Sequence, residues 1–233
     1  MHVSDPSNAR SRRPRLMMMS ACAACALASS GVAAAQASAL MISVSAPCVL
    51  NTSASLGSVP VVGVGFTPGD SIELTTTTGS ALGTVMVAPN GDFQTSITAP
   101  SLSTDGPAVA TFTLTAQDET TPLATMPSTT FNVANLAVAT KPTEAKPDTK
   151  VTFTFSGFTS GAEVYGHYLH GKKIAATAKF GRATGACGTL KTKAKLYPSH
   201  QKYESYTVQF DDSSKYSATA LPRLVEMLTV FKF

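Results

Sequence analysis

The sequence lacks tryptophan altogether and is poor in charge, since charged residues make up 14% of its 233 positions. Soluble domains usually contain about 25% charged residues. Thr, Ser, Ala and Val take the place of the missing charges, and the β-branched Thr and Val among them favour strands over long helices. Eleven Phe and six Tyr must therefore supply the large anchors of any hydrophobic core.

Positive charge is absent from residues 38–140, which contain six acids and neither Lys nor Arg. From Lys141 onward the chain has twelve Lys and two Arg against seven acids, a net charge of +7. A break in composition of this kind is typical of a domain boundary. We therefore predict an acidic domain over residues 38–137 and a basic domain over residues 138–233.

The first 37 residues have the pattern of a signal peptide. Four Arg between positions 10 and 15 precede an apolar stretch over residues 16–27, and A-x-A cleavage sequences follow at 33–35 and 35–37. The apolar stretch is shorter than the roughly 20 residues that span a bilayer. The pattern predicts export, no membrane span in the mature chain, and a secreted or wall-associated location. The choice between the general and the twin-arginine export route stays open.

One unit of sequence occurs twice. The segment Val62–Gly69 (VGVGFTPG) is echoed by Thr154–Gly161 (TFSGFTSG), 92 residues later. Short segments in which apolar and polar residues alternate, as they do in strands, surround both copies. In one such segment the apolar positions are Tyr206, Val208 and Phe210. The displacement is close to the roughly 100 residues of an immunoglobulin-like sandwich. We predict an all-β fold with two tandem Ig-like β-sandwich domains, joined by a linker at residues 135–150, and at most a short helical turn at 221–228.

Particular motifs in both halves carry a family resemblance. The first half has the Gly65–Gly69 turn and the Asn90–Phe93 turn, and the second has Phe155–Phe158 and Tyr165–Tyr168. With these motifs the chain resembles secreted actinobacterial proteins with tandem Ig-like repeats. The resemblance implies export and an Ig-like fold, and it carries over no catalytic residue.

Two of the four cysteines, Cys48 and Cys187, lie beyond the predicted signal peptide, one in each predicted domain. Exported proteins commonly form disulfides, so these two are candidates for a bond between the domains. The alternative is that each thiol is buried separately as a small apolar side chain. The sequence leaves both possibilities open.

The second domain also contains a candidate patch for binding polyanions. Alternation places three of its lysines on one strand face. A patch of this kind would suit an anionic cell-envelope polymer or an acidic protein surface, whereas the motifs of specific nucleic-acid binding are missing. The alternative is a solvated strand that lysines protect from edge-to-edge pairing. The seven candidate residues are Lys172, Lys173, Lys179, Arg182, Lys191, Lys193 and Lys195.

Catalytic and metal-binding patterns are weak. His167 and His170 fall on opposite faces of a straight strand, His200 has no evident link to them, and Asp211-Asp212 lacks the spacing of a calcium loop. We predict no metal site, no cofactor and no catalytic residue. The expected role is a non-catalytic surface module for binding, adhesion or spacing, with an unidentified ligand and oligomeric state. The alternative is an enzyme, or an enzyme accessory domain, that acts on cell-wall polymers.

Overall fold

The computed structural model describes residues 39–52, 55–76, 79–103, 106–119, 126–145, 149–197 and 205–229. These residues form strands and no helix, so the predicted all-β class is confirmed. They build two tandem Ig-like β-sandwiches, each with its own hydrophobic core. The predicted signal peptide, residues 1–37, lies outside the described residues, and so does His200.

The first sandwich packs a three-stranded sheet against a five-stranded one. The sheet orders are β1-β3-β6 and β2-β8-β7-β4-β5. Each paired strand is antiparallel to its neighbour except β2, which runs parallel to β8. The strands are β1 (Met41–Val44), β2 (Cys48–Asn51), β3 (Ser58–Val64), β4 (Ser71–Thr76), β5 (Ala81–Met86), β6 (Phe93–Thr98), β7 (Val109–Asp118) and β8 (Ser128–Asn135).

The second sandwich repeats this topology without a counterpart of β2. Its sheet orders are β13-β10-β9 and β12-β11-β14-β15, and all its pairings are antiparallel. The strands are β9 (Ala137–Lys141), β10 (Lys150–Ser156), β11 (Glu163–His170), β12 (Lys173–Arg182), β13 (Leu190–Lys195), β14 (Ser205–Asp211) and β15 (Arg223–Thr229).

Phenylalanine fills much of the second core, as the absence of tryptophan requires. Phe153 and Phe155 on β10 meet Phe180 and Phe210 from the facing sheet, with ring centroids 4.7 to 6.4 Å apart. Tilted and edge-on pairs at these distances each contribute about 0.5–1.5 kcal/mol beyond the area they bury. The alternation of β10 thus points its aromatic side chains inward and its hydroxyl side chains outward.

The repeated turn has the same structure in both copies. Gly65 and Gly157 have φ of 82° and 78°, a left-handed conformation that favours glycine. The Phe that follows each of them is buried against the end of its sandwich, with 3% of Phe66 and 4% of Phe158 exposed. The backbone N–H of each Phe donates to a glycine carbonyl, Gly91 in the first copy and Gly188 in the second.

Two local predictions were wrong. The segment expected to be a linker contains β9, which pairs with β10 and extends the three-stranded sheet. The segment expected to form a helical turn contains β15, which pairs with β14 along its whole length.

The boundary that we placed between residues 137 and 138 stays a prediction. β8 ends at Asn135 and β9 begins at Ala137, so the two sandwiches are joined almost without a spacer.

Candidate functional site

A disulfide joins the two sandwiches. Cys48 begins β2 of the first sandwich, and Cys187 lies in the turn between β12 and β13 of the second. Their Cα atoms are 5.3 Å apart, within the range that a disulfide bridges, although 139 residues separate them in sequence. Of the two possibilities that the sequence left open, the structure shows the bond. The Cys187 carbonyl also accepts the N–H of Gly157, which ties the bond to the repeated turn.

Gly157, which donates to the Cys187 carbonyl, also lies against residues of the first sandwich and of the junction. A Cβ at Gly157 would lie 2.6 Å from Cδ1 of Leu50 and 2.8 Å from the Cα of Leu136. The Ser156 hydroxyl, one residue before it, donates to the Asn135 carbonyl at 2.8 Å. The repeated glycine therefore serves two purposes in the second copy, because it allows the left-handed turn and leaves room for Leu50.

A cleft of about 860 Å³ lies beside the disulfide. Apolar side chains dominate its lining, and the exposed Leu221 stands at its edge with 88% of its surface accessible. Among the lining residues, Arg223 is the one with an ionisable side chain. An enzyme site needs convergent groups that transfer protons or attack the substrate. This cleft offers a single cation and no base.

The structure divides the seven candidate residues of the polyanion patch between two sheets. Lys191, Lys193 and Lys195 lie on β13, at the edge of the three-stranded sheet. The other four lie on or just before β12, at the edge of the four-stranded sheet. Glu163 on β11 binds two of these four, at 3.3 Å from Lys179 Nζ and 3.4 Å from Arg182 Nη2. The seven residues thus belong to two different surfaces.

Strand register adds two lysines to the β13 group. Lys150 on β10 is directly opposite Lys195, and Lys141 on β9 is opposite Thr152, whose other neighbour is Lys193. Residues directly opposite each other share one face of a sheet. We call this outward surface of β13-β10-β9 the lysine face. Within the three strands no residue is acidic. The lysine face comprises Lys141, Lys150, Lys191, Lys193 and Lys195.

A polar cluster that the sequence did not reveal lies on the outward face of the other sheet. His167 and Asp211 are both fully buried, with 3.4 Å between Nε2 and Oδ1. The Thr177 hydroxyl is 3.1 Å from the other ring nitrogen, Nδ1. The Gln209 amide donates to Asp211 Oδ2 at 2.6 Å. We name His167, Thr177, Gln209 and Asp211 the histidine cluster.

The histidine cluster forms hydrogen bonds with the segment that connects β14 to β15. His167 Nε2 lies 3.0 Å from the Ser213 carbonyl, which can only accept, so a neutral ring carries its proton on Nε2. Nδ1 then accepts the Thr177 hydroxyl. Gln209 also donates to the Ser217 carbonyl at 2.8 Å, and Asp211 accepts the Ser213 N–H at 2.9 Å. Two backbone carbonyls and one N–H of the segment are bound in this way.

The series of carboxylate, imidazole and hydroxyl in this cluster has the order of a nucleophilic triad. Its geometry differs from one, because His167 is completely buried and the proton on Nε2 is shared with a backbone carbonyl. A catalytic imidazole must exchange its proton with the substrate. The arrangement therefore acts as a structural clamp on residues 213–217.

The other predicted site residues are dispersed. His170 lies near Tyr206, on the side of β11 away from His167, as alternation indicated. Asp212 accepts the N–H of Thr159 and thereby fixes the second copy of the repeated turn. Across the described part of the chain, no three His, Cys, Asp or Glu side chains come together closely enough to hold a metal ion. Among the same residues, no helix has the length and apolar character to cross a membrane.

Comparison with known proteins gives structural likeness only. No family model and no curated protein matches the chain. Similar solved structures include the BSP domain of a biofilm-associated protein (14% identity, TM-score 0.27), the D00-D0 domain of intimin (14%, 0.36) and apo β-glucuronidase 3 of Bacteroides uniformis (9%, 0.28). Each match covers 82% of this chain. The chain spans 29%, 100% and 25% of those three chains respectively, and the likeness concerns the fold alone.

Proposed function

We propose that this chain is an exported, non-catalytic module that binds, adheres or acts as a spacer at the cell surface, and that it belongs with the secreted actinobacterial Ig-like proteins it resembles. The disulfide between Cys48 and Cys187 is the observation that carries the proposal. Disulfides persist in oxidising compartments outside the cytosol. A bond between two sandwiches also resists their separation, which is what a spacer or an adhesive module under load requires.

The competing function is an enzyme, or an enzyme accessory domain, that acts on wall polymers. It would need a pocket where titratable groups converge on a substrate. The cleft beside the disulfide contains one ionisable side chain, and the imidazole of the histidine cluster is sealed from solvent. Both observations favour a binding module over an enzyme.

A binding assay on fractionated cell envelope tests the proposal. The oxidised protein should sediment with an envelope fraction and release no soluble fragments from it. A neutral protein of the same mass, carried through the same steps, controls for trapping in the pellet. If the protein stays in the supernatant with every envelope fraction, the module has no surface ligand. Release of soluble sugars or peptides above background would favour the enzymatic alternative.

A further inference from the structure

We infer that the lysine face binds a linear phosphodiester polymer that lies along the strands of the β13-β10-β9 sheet. This inference rests on the proposed function and names its ligand class. The cationic groups of the lysine face are regularly placed, because alternate residues on one strand are about 6.6–6.8 Å apart. Lys191, Lys193 and Lys195 therefore form a row of positive charges along β13. A polymer with a charge at a similar interval matches that row.

Two further lysines widen the row. Neighbouring strands lie about 4.8 Å apart, so Lys141 on β9 is about 10 Å from Lys193 across the sheet. Between them Thr152 presents a hydroxyl, and Thr154 occupies the same position in the next row, opposite Lys191. Lysines thus lie on both sides of Thr152 and on one side of Thr154. Ammonium and hydroxyl groups can both donate to the non-bridging oxygens of phosphate.

Protection of sheet edges does not account for all of these lysines. Lysines on an edge strand such as β13 discourage pairing with another chain. Lys150, however, lies on the central strand β10 and faces Lys195 directly. Lys150 therefore adds positive charge to the middle of a face whose three strands contain no acid, and such a face is suited to an external anion.

The composition of the face suits a phosphate chain without bases. Its cations are all Lys, whose compact ammonium group is a common partner of phosphate oxygens. The outward residues between the lysines are Thr and Ala rather than aromatic residues. Binding of single-stranded nucleic acid relies on aromatic side chains that stack on the bases. A phosphodiester chain without bases needs none.

A second copy of the chain is a poorer partner, although its first sandwich is acidic. Asp118 is only 2% exposed, and Asp70 and Glu73 are half-buried. Asp92 is also half-buried, and its carboxylate accepts the Asn90 side-chain amide within its own turn at 2.8 Å. Among the described acids of the first sandwich, Glu119 is the one that is exposed, and a single exposed carboxylate does not match the row of the lysine face.

Calorimetric titration with poly(glycerol phosphate) tests the inference on the full, oxidised protein. The variant Lys191→Gln/Lys193→Gln should bind about tenfold more weakly or worse. The slope of log affinity against log salt, measured between about 50 and 200 mM, should fall by about one unit per lysine removed. The matched control is Lys172→Gln/Lys173→Gln, which removes the same charge from exposed residues at the start of β12, outside the lysine face. We expect its affinity to stay within about twofold of the wild type. Circular dichroism of both variants verifies the fold.

Several outcomes would overturn the assignment. Equal weakening by the two double variants would mean that only net charge matters. Equal or tighter binding of polygalacturonate or oligothymidylate would point to a carboxylate polymer or a nucleic acid. Self-association that disappears in Lys191→Gln/Lys193→Gln would make a second copy the occupant. If this variant still sediments with cell envelope as the wild type does, the lysine face is not the binding surface and the proposed function stands. If the wild type sediments with no fraction, the proposed function itself fails.

Discussion

Cys48 and Cys187, 139 residues apart in sequence, place their Cα atoms 5.3 Å apart and bond the edge strand β2 to a turn of the second sandwich. β2 is the strand for which the second sandwich has no counterpart, and it runs parallel to β8, the last strand before the junction. The extra strand thus places Cys48 opposite Asn132 of β8, within bonding distance of Cys187 in the second sandwich. The disulfide and the junction at residues 135–137 hold the two sandwiches at separate points.

Removal of the disulfide should destabilise the chain. The double variant Cys48→Ala/Cys187→Ala frees a loop of 139 residues in the unfolded state, which the chain-entropy model values at about 4–5 kcal/mol. Urea unfolding, followed by tyrosine fluorescence and circular dichroism, should show a lower midpoint. Wild-type protein in reducing buffer is the control and should match the variant. An unchanged midpoint would mean that the bond does not alter the free energy of unfolding.

The repeated turn offers a matched pair of glycines. Gly161→Ala introduces strain alone, because φ is 82° and the space around it is open, and should cost about 1–2 kcal/mol. Gly157→Ala adds to a similar strain a collision with Leu50 and with the backbone of Leu136. It should destabilise by a further 1–3 kcal/mol, roughly the effect of overpacking. Equal losses in chemical denaturation would show that the contact at Gly157 relaxes freely.

The histidine cluster predicts a local effect on the segment before β15. Asp211→Ala removes the acceptor of Gln209 and of the Ser213 N–H, and leaves His167 without its carboxylate. Leaving a buried donor without its acceptor costs about 1–3 kcal/mol. Amide hydrogen exchange should show faster exchange across residues 213–217. Lys215→Ala, an exposed change in the same segment, is the control, and similar exchange in both variants would contradict the clamp.

Tyr168 predicts a dependence on alkaline pH. Its hydroxyl is buried and has no hydrogen-bond partner among the described residues. Burial, followed by the neighbouring Tyr197, raises the pKa of Tyr168 above its usual value. A raised pKa in the folded state gives stability that is complete below about pH 10, the usual tyrosine value, and is lost as the pH rises further.

The variant Tyr168→Phe isolates that contribution. At neutral pH its unfolding free energy should rise by about 1 kcal/mol, because an unpaired buried hydroxyl is removed. Above pH 10 its stability should fall less steeply than that of the wild type. Denaturant titrations at several pH values measure both effects, with the half-buried Tyr165→Phe as the control. Parallel pH profiles for Tyr168→Phe and the wild type would show that this hydroxyl ionises without unfolding.

The overall fold could be predicted because its signals are local. Period-2 alternation and a turn with two glycines, repeated after 92 residues, were enough to indicate tandem sandwiches. The strands that escaped prediction have weak local signals. β9 is a short run of Ala, Val and Thr that is followed closely by a Lys-Pro pair, and this composition also suits a linker. β15 begins after Pro222 with Leu224 and Leu228 four apart, a spacing that also suits a helix.

The candidate sites were less accessible to prediction because they depend on long-range register. Alternation along β13 grouped its three lysines, but only the pairing of β10 with both neighbours places Lys150 and Lys141 beside them. The histidine cluster brings together residues of three strands under a covering segment. His167 showed no metal-ligand pattern and Asp211 lacked the spacing of a calcium loop, and no local pattern indicated that the two would be buried together.

The lysine face makes the attachment of this protein depend on salt. Added ions screen its row of positive charges over a Debye length of about 10 Å at 0.1 M. The same ions compete with any anionic polymer and weaken its attachment. A dilute medium should therefore favour attachment of the protein, and a saline one should favour its release.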